Sequence, residues 1–329
     1  MPSRGNDDAA MKDIAKNILS FLARFGLSAA LLFWLFKKID VAKMWELLKA
    51  ADSRYILFAA VIFILINLII LGRWLVIIRA FRLNVPVFAV MRYYFIGLFG
   101  NLFLPSSIGG DIIKTLGLCR YTPEKAKVVA SVLLDRLSGF GGIVVVATIS
   151  FAFAYRLIND VSVLVAICAM AVVSFLIVIV LFNEKIYSFC CGIFGYFPKI
   201  KKSFMSLHYD VALLKGNRGP LYQMVGISCV IQLLAAILSF YFAKALHQDI
   251  ALVYFVIFMP LISVASSMPS IGGLGVREAG AVYFFSKIGV ASGVAVSIGL
   301  MTFVFMVAIG LLGGLIYFVT SASEKTKGA

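Results

Sequence analysis

The sequence predicts an all-α membrane protein whose helices cross the bilayer several times. Of its 329 residues, 62% are hydrophobic and 14% are charged, whereas a soluble domain carries about 25–35% charged residues on its surface. The apolar runs are long, and a helix needs about 20 such residues to cross the hydrocarbon core. The runs are continuous, whereas the strands of a membrane β-barrel would give ten-residue segments of alternating hydrophobicity.

The charge and the rare residue types indicate which partners to expect. The net charge is +15, and the basic residues flank the apolar runs. Basic residues in such positions set the orientation of spans and contact anionic headgroups. We therefore expect membrane lipids as partners and no nucleic acid. The five cysteines form no CxxC pattern, and His208 and His247 are isolated, so we expect no metal and no other cofactor.

The chain divides into a polar tail and a series of apolar segments. The first apolar segment has no small-residue cleavage site, so we expect it to remain as a span. Residues 37–54 and 199–215 carry apolar side chains at helical spacing, which predicts amphipathic helices at the membrane surface. The apolar segments lie at about 17–36, 55–78, 88–104, 139–155, 162–182, 221–246, 251–267 and 290–319.

Two glycine-rich stretches interrupt the apolar segments at corresponding places in two halves of the chain. Ile108-Gly-Gly and Ile271-Gly-Gly lie 163 residues apart, and Lys114 or Arg277 stands five residues after the first glycine of each. Interrupted segments at matching positions are typical of transporters built from inverted repeats. We predict a single transmembrane domain at 17–320 with repeat halves at about 17–160 and 161–320, between tails at 1–16 and 321–329.

The charges of the loops predict the topology. Eight full spans would place the loop at 156–161, with one base, and the loop at 183–220, with six, against the cytoplasmic preference of basic residues. If 88–120 and 251–287 instead form re-entrant hairpins, about six spans remain and both termini are cytoplasmic. The two halves then have opposite orientations. The loop at 37–54 opposes this scheme, because it carries five bases and would be external.

Both glycine-rich stretches are predicted to be binding elements. Non-helical backbone cannot face lipid, so Pro105–Asp111 and Pro269–Gly275 should be packed inside the protein or line a wet cavity. The helix after each turn would offer free N–H groups and a positive dipole end to an anion such as a phosphate. The alternative is a glycine-packed helix break whose bases reach the membrane surface. The candidate residues are Asn101, Pro105, Ser106, Gly109, Gly110, Asp111, Lys114, Pro269, Ser270, Gly272, Gly273, Arg277 and Glu278.

Asp135 and Arg136 form a charged pair just before a long apolar run. A charge at the bilayer centre costs about 2.5–3.5 kcal/mol on insertion scales and indicates a functional site. One interpretation is an interfacial ion pair that ends a helix. In the other, Arg136 binds a lipid phosphate through two hydrogen bonds, and Asp135 or Asp111 orients it.

Other polar residues within the apolar runs are given structural roles. Arg73 and Arg79 are interpreted as cytoplasmic anchors, with Trp74 in the aromatic belt at the membrane surface. Asn67 and Gln232 lie within predicted spans and are expected to form hydrogen bonds between helices.

Three motifs, "GLFGNLFLPSSIGGDIIKTLGL", "SVLLDRLSGFGG" and "MPSIGGLGVREAG", occur in this order over about 300 residues. With them the chain resembles the lysylphosphatidylglycerol synthetase transmembrane-region family, also called uncharacterised membrane protein family 0104. The resemblance implies a flippase-like domain, which in the multiple-peptide-resistance synthetases moves aminoacylated phosphatidylglycerol between leaflets. The matching residues are Pro105, Gly109, Gly110, Asp111, Asp135, Arg136, Pro269, Gly272, Gly273 and Glu278.

The chain departs from those synthetases because no aminoacyl-transferase domain follows its spans, so lipid aminoacylation is not expected. We expect a transporter of an anionic or polyprenyl-linked lipid in a bacterial or archaeal cytoplasmic membrane. Two other functions stay open. One is a membrane-embedded transferase for a lipid-linked sugar or phosphate, with Asp111 or Asp135 as its catalytic carboxylate. The other is a lipid-binding subunit without catalytic activity. No Walker loop and no G-x-S-x-G motif occurs, so we expect no enzyme.

Overall fold

The computed structural model describes residues 45–46, 48–103, 108–158, 219–266 and 275–327, with scattered positions between 161 and 176. The predicted segments at 17–36 and 199–215 lie outside these residues, as does most of 162–182. The part of the chain that the structure describes is all-helical. Its main helices are α1 (Ser53–Ala80), α2 (Val87–Phe103), α3 (Ile108–Leu118), α4 (Lys125–Ile158), α5 (Gly219–Ala245), α6 (Leu252–Ser266), α7 (Val276–Ser286) and α8 (Ser292–Lys327).

The helices differ in length in a regular order. Within the described residues, α1, α4, α5 and α8 are the four that are long and apolar enough to cross a membrane. Helices α2 and α6 have 17 and 15 residues, and α3 and α7 have 11 each. An 11-residue helix is about 16 Å long, roughly half the hydrocarbon thickness. The order long, short, short, long therefore occurs twice. The pair α2–α3 is called the first hairpin and α6–α7 the second.

Helices α1 and α5 pack against each other in opposite directions. The Asp52 N–H donates to the Ala245 carbonyl at 2.9 Å, so α1 begins where α5 ends. Arg73, near the end of α1, donates to Ser228, near the start of α5, at 2.8 Å. We call the end of the bundle where α1 finishes end A, and the opposite end, where α5 finishes, end B.

The two hairpins begin at opposite ends of this pair. Helix α2 starts shortly after α1 finishes, at end A, and α6 starts shortly after α5 finishes, at end B. Each hairpin then packs on a long helix of the other half, since α2 lies against α8 and α6 lies against α4. The two halves of the described chain therefore interlock.

Small residues permit the close contact of α2 with α8. A Cβ on Gly313 would overlap the carbonyl oxygen of Phe95, and one on Gly310 would lie 2.6 Å from Leu102 Cδ1. Helix association in lipid depends on such close packing, because lipid tails are as apolar as the side chains. In the second hairpin, aromatic rings join its own two helices. The ring centroids of Phe255 on α6 and Phe285 on α7 are 5.1 Å apart.

End B is joined by polar contacts between the segment before α1 and the α5–α6 connection. His247 Nε2 lies 3.0 Å from the Ala50 carbonyl oxygen. The Lys244 ammonium donates to Asp249 at 2.6 Å, and this hydrogen bond lowers the pKa of the exposed Asp249 carboxyl. The first contact attaches the segment before α1 to the connection that leads into the second hairpin, and the second holds that connection to the end of α5.

Two predicted boundaries are wrong. Helix α4 begins at Lys125, 14 residues before the predicted apolar segment at 139, so Asp135 and Arg136 lie inside a helix rather than at its end. Helix α3 begins at Ile108, so Gly109, Gly110 and Asp111 are helical, whereas irregular backbone was predicted there. In both places tertiary packing overrides the local sequence, because polar and glycine residues are stabilised by neighbouring helices.

Candidate functional site

The first turn of α3 is held against α2. The Gly110 N–H donates to Asn101 Oδ1 at 2.9 Å, and a Cβ on Gly110 would overlap the Gly97 carbonyl oxygen. The first N–H groups of a helix have no partner within that helix, and here Asn101 supplies one. The Gly110 N–H, one of the groups predicted to be free at the start of this helix, is therefore bonded within the protein, and the predicted close backbone approach at Gly110 is confirmed.

Asp111 is shared by two cations. Its Oδ1 lies 3.5 Å from the Lys114 ammonium, one turn along α3. Its Oδ2 accepts a hydrogen bond from Arg136 Nε on α4. Of the two orienting carboxylates considered for Arg136, the structure therefore places Asp111 in contact with it. The carboxylate also lies in the first turn of α3, where the helix dipole favours a negative charge.

Lys114 is buried among aromatic rings. Its ammonium lies 4.9 Å from the ring centroid of Tyr94 and 5.5 Å from that of Trp74, within the range of a cation–π interaction. Its aliphatic stem runs beside Gly97, where an added Cβ would lie 2.9 Å from Lys114 Cγ. The side chain is thus enclosed by α1, α2 and α3 and is buried inside the protein.

Both rings beside Lys114 are fixed at their polar ends. Trp74 Nε1 donates to Ser131 Oγ at 3.3 Å, and Tyr94 Oη donates to Asn67 Oδ1 at 3.1 Å. The second bond joins α2 to α1, which confirms the expected role of Asn67. Trp74 is only 1% exposed, so its predicted place in the aromatic belt is wrong. Gln232, for which the same role was expected, has a buried Oε1 without a hydrogen-bond partner in the described part of the chain.

Arg73 joins three long helices. Its Nε donates to Asp135 Oδ1 on α4 and its Nη1 to Ser228 Oγ on α5, each at 2.8 Å. Its prediction as a surface anchor is wrong, although Arg79, further along α1, is exposed as expected. The position of Arg73 could have argued against the anchor. Arg73 lies seven residues before the end of α1, whereas a surface anchor is expected at the helix end itself.

The second hairpin carries a more enclosed pair in the first turn of α7. Arg277 Nη2 and Nε donate to Glu278 Oε1 at 2.7 and 3.1 Å, and the Gly275 N–H donates to Glu278 Oε2 at 2.6 Å. Gly275 has a φ of 85°, a conformation that favours glycine. Glu278 is 0% exposed, and a Cβ on Gly299 of α8 would lie 2.8 Å from its Oε1. The Gly275 N–H, like that of Gly110, is bonded within the protein.

The charged residues that the structure describes within the bundle form two groups, and the first includes Arg73, which was interpreted from the sequence as an anchor and not as a site residue. The first group contains Arg73, Asp111, Lys114, Asp135 and Arg136 and joins α1, α3, α4 and α5. The second contains Gly275, Arg277 and Glu278, and Arg277 reaches α8 through Met306 Sδ at 3.7 Å. The predicted residues that lie outside the described ranges are Pro105, Ser106, Pro269, Ser270, Gly272 and Gly273.

Comparison with known proteins agrees with the motifs. Residues 21–314 match the family model described as the lysylphosphatidylglycerol synthase TM region. A UPF0104 membrane protein of Pyrococcus horikoshii is 28% identical over 176 residues, which cover 53% of this chain and 50% of that relative. The aligned part thus spans about half the length of the relative. No solved structure matches the chain. The motifs, the apolar helices and the family match together show that this multi-pass membrane protein belongs to the lysylphosphatidylglycerol synthase transmembrane-region family.

Proposed function

We propose that the protein is a transporter that moves an anionic or polyprenyl-linked lipid between the leaflets of a cytoplasmic membrane. One observation carries the proposal. Two hairpins of short helices begin at opposite ends of the α1–α5 pair, and each holds a buried acid–base pair whose carboxylate lies in the first turn of its second helix. Paired broken elements of this kind surround the substrate site in transporters with inverted repeats.

The charges support a polar substrate. Ionisable side chains within membrane bundles are costly and are found along the pathways of ions and polar substrates. A lipid headgroup that crosses the hydrocarbon core meets the same cost, and fixed charges along its path lower it. We propose that the headgroup is bound between the two groups, with six spans, two re-entrant hairpins and cytoplasmic termini as predicted from the loops.

Within the site, Arg136 is proposed as the residue that binds the headgroup phosphate. A guanidinium forms two parallel hydrogen bonds with a phosphate. The Arg136 side chain is 34% exposed, compared with 14% for Asp111 and 10% for Lys114. Arg277, which is 10% exposed, is proposed as the corresponding ligand on the second hairpin. The proposal includes no chemical step and therefore no catalytic residue.

The test is a leaflet-exchange assay. The purified protein is placed in liposomes that contain phosphatidylglycerol with a fluorescent acyl chain, and dithionite quenches the dye in the outer leaflet. We expect Arg136→Gln to slow the exchange of the labelled lipid at least about tenfold, which corresponds to about 1.4 kcal/mol, and Arg277→Gln to slow it as well. Arg79→Gln, which removes an exposed arginine from α1, is the matched control and should exchange lipid at the wild-type rate.

Three results would contradict the proposal in different ways. Wild-type exchange in both the Arg136 and Arg277 variants would show that the site is misassigned. A change in the mass of the lipid after incubation with a lipid-linked donor would indicate the transferase. Binding of the labelled lipid without exchange would indicate a non-catalytic lipid-binding subunit.

A further inference from the structure

We propose that Asp111 is an internal competitor of the phosphate group. In the structure Asp111 is paired with Arg136, and when a phosphate takes the place of Asp111 on Arg136, Lys114 holds the displaced carboxylate. Lys114 is then a positioning residue and not a ligand of the lipid. This inference rests on the proposed function, because it describes how that same site admits an anionic headgroup.

The geometry of Asp111 carries the first step. One carboxylate oxygen contacts Arg136, while the other lies 3.5 Å from the Lys114 ammonium. A full charge-assisted hydrogen bond has an N–O distance of about 2.7–2.9 Å, so a shift of about 0.7 Å would complete the bond to Lys114. The carboxylate can therefore exchange one cation for the other by a small movement and stays paired with a cation in both arrangements.

The surroundings of Lys114 determine which partner moves. Its ammonium lies over the rings of Trp74 and Tyr94, and both rings are held by hydrogen bonds to neighbouring helices. Its stem is enclosed beside Gly97. Lys114 is thus a fixed cation, and the carboxylate must come to it.

The exposure of Arg136 determines where the phosphate enters. Arg136 is the most exposed member of the first group, and a guanidinium carries five N–H donors that suit the oxygens of a phosphate. The neighbouring Asp135 does not enter this exchange, because it is already bonded to the buried Arg73 at 2.8 Å. Among the contacts that the structure describes, the negative charge that meets Arg136 is that of Asp111.

The competition predicts mutations with opposite effects on binding. Asp111→Asn removes the competitor, so the Kd for a phosphate ligand should fall about tenfold. Lys114→Met keeps the apolar stem on the two rings but no longer holds the carboxylate, so the Kd should rise about tenfold. In the double variant there is no carboxylate to hold, and its Kd should match that of Asp111→Asn within about threefold. These changes correspond to about 1.4 kcal/mol for each factor of ten.

The experiment is isothermal titration of the full-length protein in detergent with dihexanoyl phosphatidate and, in a second arm, with inorganic phosphate. A pattern seen with phosphatidate but only weakly with phosphate supports competition with a lipid headgroup. The same pattern with equal affinity for both supports competition with phosphate from either source. If Lys114→Met fails to fold, Lys114→Gln serves as the second variant, because it also removes the charge that holds the carboxylate, and its Kd should rise in the same direction.

Two outcomes overturn the inference. The first is an unchanged or weaker affinity in Asp111→Asn. The second is a double variant that binds about tenfold more weakly than Asp111→Asn, since this would make Lys114 a direct ligand. A gain of affinity cannot come from damage to the fold. Because the titration measures binding alone, the pattern can hold even if the liposome assay shows no leaflet exchange, and exchange can occur without the pattern, so the two proposals fail separately.

Discussion

At the scale of single residues, the protein places charges inside a helix bundle and pairs them with opposite charges, within a helix or across helices. Arg73 shows the consequence most clearly, because it is bonded to Asp135 and Ser228 on two other helices. Removing one partner of a buried ion pair leaves the other charge without compensation, which is strongly destabilising. Arg73 is therefore expected to contribute to the stability of the bundle, whereas Arg136, which is more exposed, is expected to contribute to binding.

We predict that Arg73→Met lowers the free energy of unfolding by about 3–5 kcal/mol, because it leaves Asp135 buried without its partner. The double variant Arg73→Met/Asp135→Leu should recover most of this loss, because it removes both charges. Thermal unfolding of the purified variants in detergent measures the effect. Arg79→Met is the control on the same helix and should change stability by less than about 0.5 kcal/mol. If Arg73→Met is as stable as this control, the ion pair contributes nothing to stability.

The same residues show what could be predicted from the sequence at this scale. Asp111, Arg136, Arg277 and Glu278 stand out because charge is rare in apolar segments, and all four lie in the two buried groups. Arg73 was misassigned because its partner Asp135 is 62 residues away, and no local pattern indicates that pairing. A free N–H at the start of α3 was expected, but the acceptor for Gly110, Asn101, comes from another helix.

At the scale of helices, glycines determine how closely the first hairpin approaches its neighbours. Gly313 lies where α8 meets the backbone of α2 at Phe95, whereas Gly226 on α5 has nothing within 4 Å of an added Cβ. The same substitution at these two positions therefore has opposite expected effects. At the first, the new methyl group forces two helices apart, and at the second, it only increases the helix propensity.

We predict that Gly313→Ala lowers the free energy of unfolding by about 1–3 kcal/mol through overpacking, while Gly226→Ala leaves it unchanged or raises it by up to about 1 kcal/mol. Chemical unfolding followed by tryptophan fluorescence would measure both, because Trp74 lies in the core close to the first hairpin. Equal stability of the two variants would show that α2 and α8 are not in close contact.

The helix ends show which helix boundaries could be predicted from the apolar runs of the sequence. The apolar run at 55–78 predicted α1, and the helix extends it by only two residues at each end. The start of α4 was missed because Lys125–Leu137 contains charged and polar residues that look like a loop. Asp135 and Arg136 in this segment pair with Arg73 on α1 and Asp111 on α3, and that information lies outside the segment itself.

At the scale of the whole molecule, the arrangement of the two hairpins determines the proposed mechanism. Helices α1 and α5 run in opposite directions, and each leads into a hairpin of short helices. If both pairs return to the side from which they entered, the two charged groups can be approached from opposite faces of the membrane. The proposed inverted repeat therefore predicts that the two exposed connections at end A lie on one face of the membrane and the two at end B lie on the other.

We predict that Asn84→Cys and Glu124→Cys, which flank the first hairpin, react with an impermeant maleimide only from the cytoplasmic face. Asp249→Cys and Lys287→Cys, which flank the second, should react only from the opposite face. Each variant is made in a chain whose five native cysteines are replaced, and labelling is compared in intact cells and in inverted vesicles. All four positions are exposed in the structure, so a failure to label from one face reports the membrane and not burial.

If Asn84→Cys and Glu124→Cys label from different faces, the first hairpin crosses the membrane and the re-entrant scheme is wrong. If all four label from one face, the hairpins share an orientation and the repeat is not inverted. Labelling in two opposite pairs is expected because a helix of 11 residues is about 16 Å long and reaches only about halfway across the hydrocarbon core.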